Sequence, residues 1–189
     1  DEARAGRWVS GTFGWWWRYE DGNYPTSTQL RIDGAIYRFN ARGYMVTGWV
    51  YEDGQWYYYG ASGGQSAGWV RVHGTWYYLD PLTGAMASGW TKVQGTWYYL
   101  SSSGAMRTGW VRDGSAWYYL TSSGALATGW QRVGSSWYYL SPDGGAMVTG
   151  WLRDGDAWYY LTSSGAMATG SRWIDGTRYA FDGEGRLMP

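Results

Sequence analysis

The chain has 189 residues with 15 basic and 15 acidic side chains, one histidine, no cysteine, 17 Trp and 19 Tyr. Disulfides, thiolate zinc sites, thiol nucleophiles and multi-histidine metal centres are excluded, so no metal or cofactor is expected, and the balanced charge speaks against nucleic acid as a partner. Leu, Ile, Val and Phe are scarce, so a folded chain must draw on aromatic rings, each of which removes roughly 150–250 Å² from water.

The start, Asp1-Glu2-Ala3-Arg4, lacks the basic and apolar regions of a signal peptide, as a mature or excised piece would. No apolar run reaches the roughly 20 residues of a membrane span, so none is expected. Residues 1–28 are read as departing from the periodicity that follows. Their cluster Gly14-Trp15-Trp16-Trp17-Arg18-Tyr19, with Tyr24-Pro25, suggests an aromatic cap; a worn repeat or a junction to another domain are the alternatives. Residues 29–189 form the repeat module.

In that module Gly-Trp pairs recur at Trp49, Trp69, Trp90, Trp110, Trp130 and Trp151, in steps of 20 or 21 residues. A second tryptophan follows each after seven residues: Trp56, Trp76, Trp97, Trp117, Trp137 and Trp158. The extra residue is always absorbed outside this unit, in segments such as Asp80–Gly84 and Ser141–Gly145, which are therefore loops. Within the unit, short runs rich in β-branched and aromatic residues flank a glycine-containing turn such as His73-Gly74, and the pattern predicts a β-hairpin. One such hairpin is unstable alone, so a stack is required.

Degenerate copies at Ile32–Phe39 and Ile174–Phe181 bring the count to about eight repeats with worn ends. The predicted fold is all-β, a solenoid of stacked hairpins. In every copy Tyr37, Tyr57, Tyr77, Tyr98, Tyr118, Tyr138, Tyr159 or Tyr179 is followed two residues later by Phe39, Tyr59, Leu79, Leu100, Leu120, Leu140, Leu161 or Phe181. Period-two alternation puts both on one strand face, read as the structural core. The opposite face carries Trp and Tyr in the central repeats but Gln29, Ile36 and Arg38 at one end and Ser171, Arg178 and Ala180 at the other. Loss of that face at the ends marks a ligand surface, or a surface that packs only on the next repeat.

Two Trp from one hairpin and a Tyr from the next would make an aromatic cage. Met86, Met106, Met147 and Met167 stand at one loop position, with Leu126 and Met45 in equivalent places and Gln65 breaking the pattern; each is a further cage wall or a gap filler. Electron-rich rings attract quaternary ammonium groups, which cannot donate hydrogen bonds.

The runs Gly89-Trp90 to Trp97-Tyr98-Tyr99-Leu100 and Gly104-Ala105-Met106-Arg107-Thr108-Gly109-Trp110 resemble the choline-binding, or cell-wall-binding, repeats of Gram-positive surface proteins and phage lysins; the match spans residues 29–181. The resemblance implies a left-handed superhelix of hairpins, secretion to the bacterial cell surface, and choline or a similar quaternary amine of teichoic or lipoteichoic acid held between repeats. Five cages follow from it: Trp49, Trp56 and Tyr78; Trp69, Trp76 and Tyr99; Trp90, Trp97 and Tyr119; Trp110, Trp117 and Tyr139; Trp130, Trp137 and Tyr160. The tyrosine of each set is chosen by strand alternation. Trp151 and Trp158 would face Ala180 and are left out.

Catalysis is not expected: repeating turn carboxylates offer no singular pair, and His73 falls at a hairpin turn. Arg71, Arg112, Arg132 and Arg153 are placed beside the aromatic face. Glucan- or carbohydrate-binding repeats, which stack sugars on flat rings, and a structural adhesin stalk are the alternative functions.

Overall fold

A computed structural model describes residues 2–189. Among them every regular element is a strand, and the strands pair two by two, in chain order, as nine antiparallel hairpins. They are β1(Gly6–Gly11)/β2(Gly14–Tyr19), β3(Thr28–Ile32)/β4(Ala35–Phe39), β5(Gly48–Glu52)/β6(Gln55–Tyr59), β7(Gly68–Val72)/β8(Thr75–Leu79), β9(Gly89–Val93)/β10(Thr96–Leu100), β11(Gly109–Asp113)/β12(Ala116–Leu120), β13(Gly129–Val133)/β14(Ser136–Leu140), β15(Gly150–Asp154)/β16(Ala157–Leu161) and β17(Gly170–Ile174)/β18(Thr177–Phe181). The chain divides into two compact units: residues 1–89 with 100–106, and residues 90–99 with 107–189.

Turn chemistry comes in two forms. Asp53-Gly54 and His73-Gly74 have positive φ at both central residues, the pattern of a type I′ turn that suits strand twist. In the hairpins of β11/β12, β13/β14 and β15/β16 only the glycine is left-handed, Gly114 at φ 58°, Gly134 at 62° and Gly155 at 58°, and it is the first of the two turn residues, as in type II′. Asp113 and Asp154 are consequently the last residues of their strands rather than members of the turn, opposite Ala116 and Ala157.

In each unit one side chain per hairpin forms the innermost core. Phe39, Tyr59, Leu79, Leu100, Leu120, Leu140, Leu161 and Phe181 are all at or close to complete burial, one per hairpin, as the period-two pattern requires. Each also bridges to the residue at the loop position that follows it, for example Leu79 to Met86 and Leu120 to Leu126. The loop residue then donates its N–H to the second-tryptophan carbonyl of the preceding hairpin: Met86 to Trp56 at 2.7 Å, Met147 to Trp117 at 2.7 Å, Met167 to Trp137 at 2.8 Å. These bonds tie hairpin to hairpin. The chain between hairpins thereby satisfies backbone groups that a two-stranded sheet leaves open at its edges. Gly104 shows why glycine stands in this loop: its φ is +81°, and a Cβ would run into the Met86 thioether.

Candidate functional site

Each hairpin has two faces, and the site forms where the front of one meets the back of the next. On the front, β-pairing sets Trp110 opposite Tyr119 and Arg112 opposite Trp117, so the four side chains share one surface. Tyr119 packs edge-on against Trp110 of its own hairpin, with ring centroids 5.1 Å apart. On the back of the following hairpin Leu140 goes to the core, and Tyr138, two residues before it, reaches Trp110 at 4.9 Å and 69°. Trp117, Tyr138 and Met147 then enclose with Trp110 a cavity of about 270 Å³, rimmed by Ser163 and Ser164.

The motif recurs within each unit. Trp49, Trp56, Tyr77 and Met86 line about 290 Å³ with Ser103 at the rim. Trp90, Trp97, Tyr118 and Leu126 line about 340 Å³, and Trp130, Trp137, Tyr159 and Met167 about 410 Å³ with Gly183 and Glu184 at the edge. The Trp–Tyr approach is 4.8 Å for Trp49–Tyr77 and 4.9 Å for both Trp90–Tyr118 and Trp130–Tyr159. Paired indoles stand nearly perpendicular, as in Trp49–Trp56 at 6.4 Å and 88° and Trp69–Trp76 at 6.4 Å and 90°. In the Trp69 repeat the Met106 N–H also bonds the Trp76 carbonyl, at 2.8 Å.

The structure brings the predicted tryptophans and the loop residues Met86, Leu126, Met147 and Met167 together, and it corrects the choice of tyrosine. Tyr78, Tyr119, Tyr139 and Tyr160 do not line the preceding repeat's cavity, and Tyr99, like them, packs within its own hairpin. Each instead supports the first tryptophan of its own hairpin, at 5.0–5.2 Å from Trp69, Trp90, Trp110, Trp130 and Trp151. Alternation along a strand assigns the two faces of a hairpin but not which face meets the next hairpin. Hairpins stack front to back, so the closing ring comes from the core face, one residue earlier in sequence.

The same correction changes the C-terminal junction. Trp151 and Trp158, 6.3 Å apart, meet Tyr179 rather than Ala180, with Trp151–Tyr179 at 4.8 Å and the Leu187 N–H on the Trp158 carbonyl at 2.8 Å. A three-ring arrangement therefore exists at this junction, which the sequence pattern leaves out.

Exposure separates the roles of the two tryptophans. The first is held between its own tyrosine and the next. The second is 40–44 % exposed in all six central repeats, an expanse of ring that packing leaves open. Arg71 lies over Trp76 at 6.0 Å, beside the ring as the sequence suggests, and Lys92, which the sequence reading does not single out, lies over Trp97 at 5.7 Å. No buried polar or charged side chain occurs among the described residues, and the cavities are walled by Trp, Tyr and Met or Leu, with Ser or Glu only at the rims. Nor do the described residues contain a cluster of three or more potential metal ligands. His73 is exposed at φ 47° in its hairpin turn. No helix of the described chain is long and apolar enough to cross a membrane.

Two features escaped the sequence reading. Indole Nε1 of Trp90 donates to the Asp113 carboxylate at 3.0 Å and that of Trp130 to Asp154 at 2.9 Å, each reaching one hairpin forward. The other is a spacing of seven between Trp8 and Trp15, inside the segment set apart as a cap.

Fold and cavities together define a tandem hairpin-repeat protein whose repeats meet at aromatic clusters. The choline-binding repeat model matches residues 26–67, 53–89, 87–128, 108–149, 127–171 and 148–188, and the chain belongs to that family. No curated protein matches it. Among solved structures, choline binding protein F of Streptococcus pneumoniae, determined in the presence of a peptidoglycan analogue, is 37 % identical over 93 % of this chain and 61 % of its own, with a TM-score of 0.80. The same protein in complex with ipratropium gives 35 % identity, 93 % and 63 % coverage, and 0.78. The choline-binding domain of CbpL from S. pneumoniae is 31 % identical over 98 % of both chains, at 0.71. The modular autolysin LytC of that organism is 34 % identical over 97 % of this chain and 42 % of its own, also at 0.71. The chain thus spans about three fifths of the length of choline binding protein F.

Proposed function

We propose that this chain is a non-catalytic attachment module, carried on a secreted protein, that holds choline or similar quaternary ammonium groups of cell-wall teichoic or lipoteichoic acid between its repeats. The carrying observation is that Trp56, Trp97, Trp117 and Trp137 are each left about two fifths exposed at a small cavity walled by Trp, Trp, Tyr and Met or Leu. A trimethylammonium head is weakly hydrated and needs no acceptor, so a pocket without buried polar groups suits it. Each ring face contributes about 0.5–2 kcal/mol, and three walls after the cost of immobilisation give about 3–5 kcal/mol, near the millimolar range. Several such sites on one chain, meeting a polymer that repeats the ligand, reach firm attachment through effective concentration. The complex of choline binding protein F with ipratropium, itself a quaternary ammonium compound, supports this reading.

Glycan binding is the second reading. Ser163, Ser164 and Glu184 at two cavity rims favour it, since they could bond sugar hydroxyls.

Titration with choline chloride while following tryptophan fluorescence and the melting temperature separates the two. Millimolar choline should shift the emission and raise the melting temperature by linkage, and dextran should do neither. Response to dextran with silence to choline would replace the onium reading by the glycan one.

A further inference from the structure

We infer that the N-terminal hairpin builds an additional quaternary-ammonium site, from Trp8 and Trp15 of β1/β2, Tyr37 of β4 and Met45 of the loop after it. The inference rests on the proposed function and extends it to Trp8 and Trp15, which no matched repeat covers, since the family match begins at residue 26; Tyr37 and Met45 lie within the first matched repeat.

The register of β1/β2 carries the first argument. Trp8 stands opposite Trp17 and Ser10 opposite Trp15, as Trp49 stands opposite Tyr58 and Tyr51 opposite Trp56. Trp8 therefore occupies the first-tryptophan position and Trp15 the second, seven residues on. Trp8 is 21 residues before Gln29, so the hairpin keeps the step of the ladder.

The neighbours repeat the geometry of an established cavity. Trp8 meets Tyr37 at 4.8 Å and 63°, against 4.8 Å and 67° for Trp49 and Tyr77. The Met45 N–H bonds the Trp15 carbonyl at 2.7 Å, as Met86 bonds Trp56 at 2.7 Å. The Met45 side chain lies against Gly63 as that of Met86 lies against Gly104. Trp17 fills the supporting place of Tyr58, 5.3 Å from Trp8, and is buried.

A hairpin that only capped the stack would spend its rings on packing. Trp15 remains 49 % exposed, more than Trp56 at 42 %. The next junction shows what a site without this function looks like. There Gln29 and Ile36 replace the tryptophans and Gln65 the methionine; the Gln29 amide donates to the Tyr59 hydroxyl at 2.6 Å, and Arg38 pairs with Glu52 at 2.6 Å. The ring set has been exchanged for polar contacts at that junction but kept at the one before it. The N-terminal cage thus stands one blind junction apart from the cage of Trp49, and a polymer engaging both must span two repeats.

The test uses the full chain, ¹⁵N-labelled, titrated with choline chloride. Trp15→Phe and Trp117→Phe each delete one indole N–H signal and so assign it. The Trp15 signal is expected to move with choline over the same range as that of Trp117. Movement of Trp117 with Trp15 stationary overturns the N-terminal cage and leaves the proposed function standing; no movement of either overturns both. A double variant, Trp15→Ile with Met45→Gln, copies residues that the next junction already tolerates. By equilibrium dialysis it should bind one choline fewer per chain than the parent, and unchanged stoichiometry would also overturn the inference.

Discussion

Trp130 and Asp154 lie on successive hairpins and are joined by a 2.9 Å hydrogen bond from indole Nε1 to the carboxylate, an arrangement repeated by Trp90 and Asp113 at 3.0 Å. At the corresponding strand position the hairpin facing Trp110 has Val133, and that facing Trp49 has Val72. Cavities with and without a tethering carboxylate therefore occur in one molecule. The carboxylate holds the first indole and sets a negative charge beside the proposed onium cavity.

Asp113→Val should accordingly weaken onium binding at the Trp90 cavity while leaving the Trp110 cavity unchanged. The pair is solvent-exposed, so an effect of about 0.5–1 kcal/mol, or roughly 2–5-fold in Kd, is expected. Choline titration read at the individual indole N–H signals measures it. Raised salt should narrow the difference between the two cavities, and equal affinities in the parent at low salt would count against the electrostatic account.

The front-to-back closure makes adjacent tyrosines unequal. Tyr138 is one of three aromatic walls around the Trp110 cavity, whereas Tyr139 supports Trp130 at 5.1 Å. Tyr138→Ala should lower choline affinity at the Trp110 indole by about 5–30-fold, the worth of roughly 1–2 kcal/mol for one cation–π wall. Tyr139→Ala should leave that indole's titration unchanged and disturb the Trp130 signal instead. The reverse outcome would restore the pairing expected from strand alternation alone.

The repeats are legible because their signal is redundant: the seven-residue Trp spacing recurs in the six central copies, and the turn glycine and the buried residue at the positions of Phe39 to Phe181 recur in every copy. Their faces are legible too, since alternation along Tyr138 and Leu140 needs only the strand. Which face meets which is a property of stacking and leaves no mark within one hairpin, so alternation alone points to Tyr139 rather than Tyr138. The β1/β2 hairpin was hidden for a different reason. Trp16 and Trp17 stand beside Trp15 and obscure the spacing from Trp8, and the intervening copy at Gln29 and Ile36 lacks both tryptophans, which breaks the ladder just before its first rung. The Trp–Asp bonds depend on turn type. Asp113-Gly114 reads in sequence like Asp53-Gly54, yet glycine comes first in one turn and second in the other.

Acid should loosen one loop before the hairpins. The Asp80 carboxylate accepts the backbone N–H groups of Thr83 and Leu82, both at 2.9 Å, and these bonds hold its pKa below the usual carboxylate value. A depressed folded-state pKa means that the stabilisation is complete above the unfolded carboxylate value, near 4, and is lost as pH falls through the folded one. Amide exchange at Thr83 and Gly84 should accelerate in that acid window, relative to the equivalent loop at Ser101–Gly104, which has no carboxylate. Asp80→Asn should remove the pH-dependent difference, and persistence of the difference in that variant would assign it to another group.

Stability and binding should separate between the two faces of a single strand. Leu120 is fully buried in the core, while Trp117, three residues earlier and on the opposite face, is 41 % exposed. Leu120→Ala removes buried methyl groups and leaves a void, so it should cost about 2–5 kcal/mol, read as a fall in the denaturation midpoint with the choline stoichiometry retained below the transition. Trp117→Ala removes ring surface that water already reaches. It should move the midpoint much less, yet eliminate one choline site and reduce the rise in melting temperature that choline produces. Because repeat proteins unfold by sections, the comparison is best made with probes inside the β11/β12 hairpin. A Trp117→Ala loss of stability as large as that of Leu120→Ala would mean that the exposed rings hold the stack together after all, and that the cavities between them are a by-product of packing.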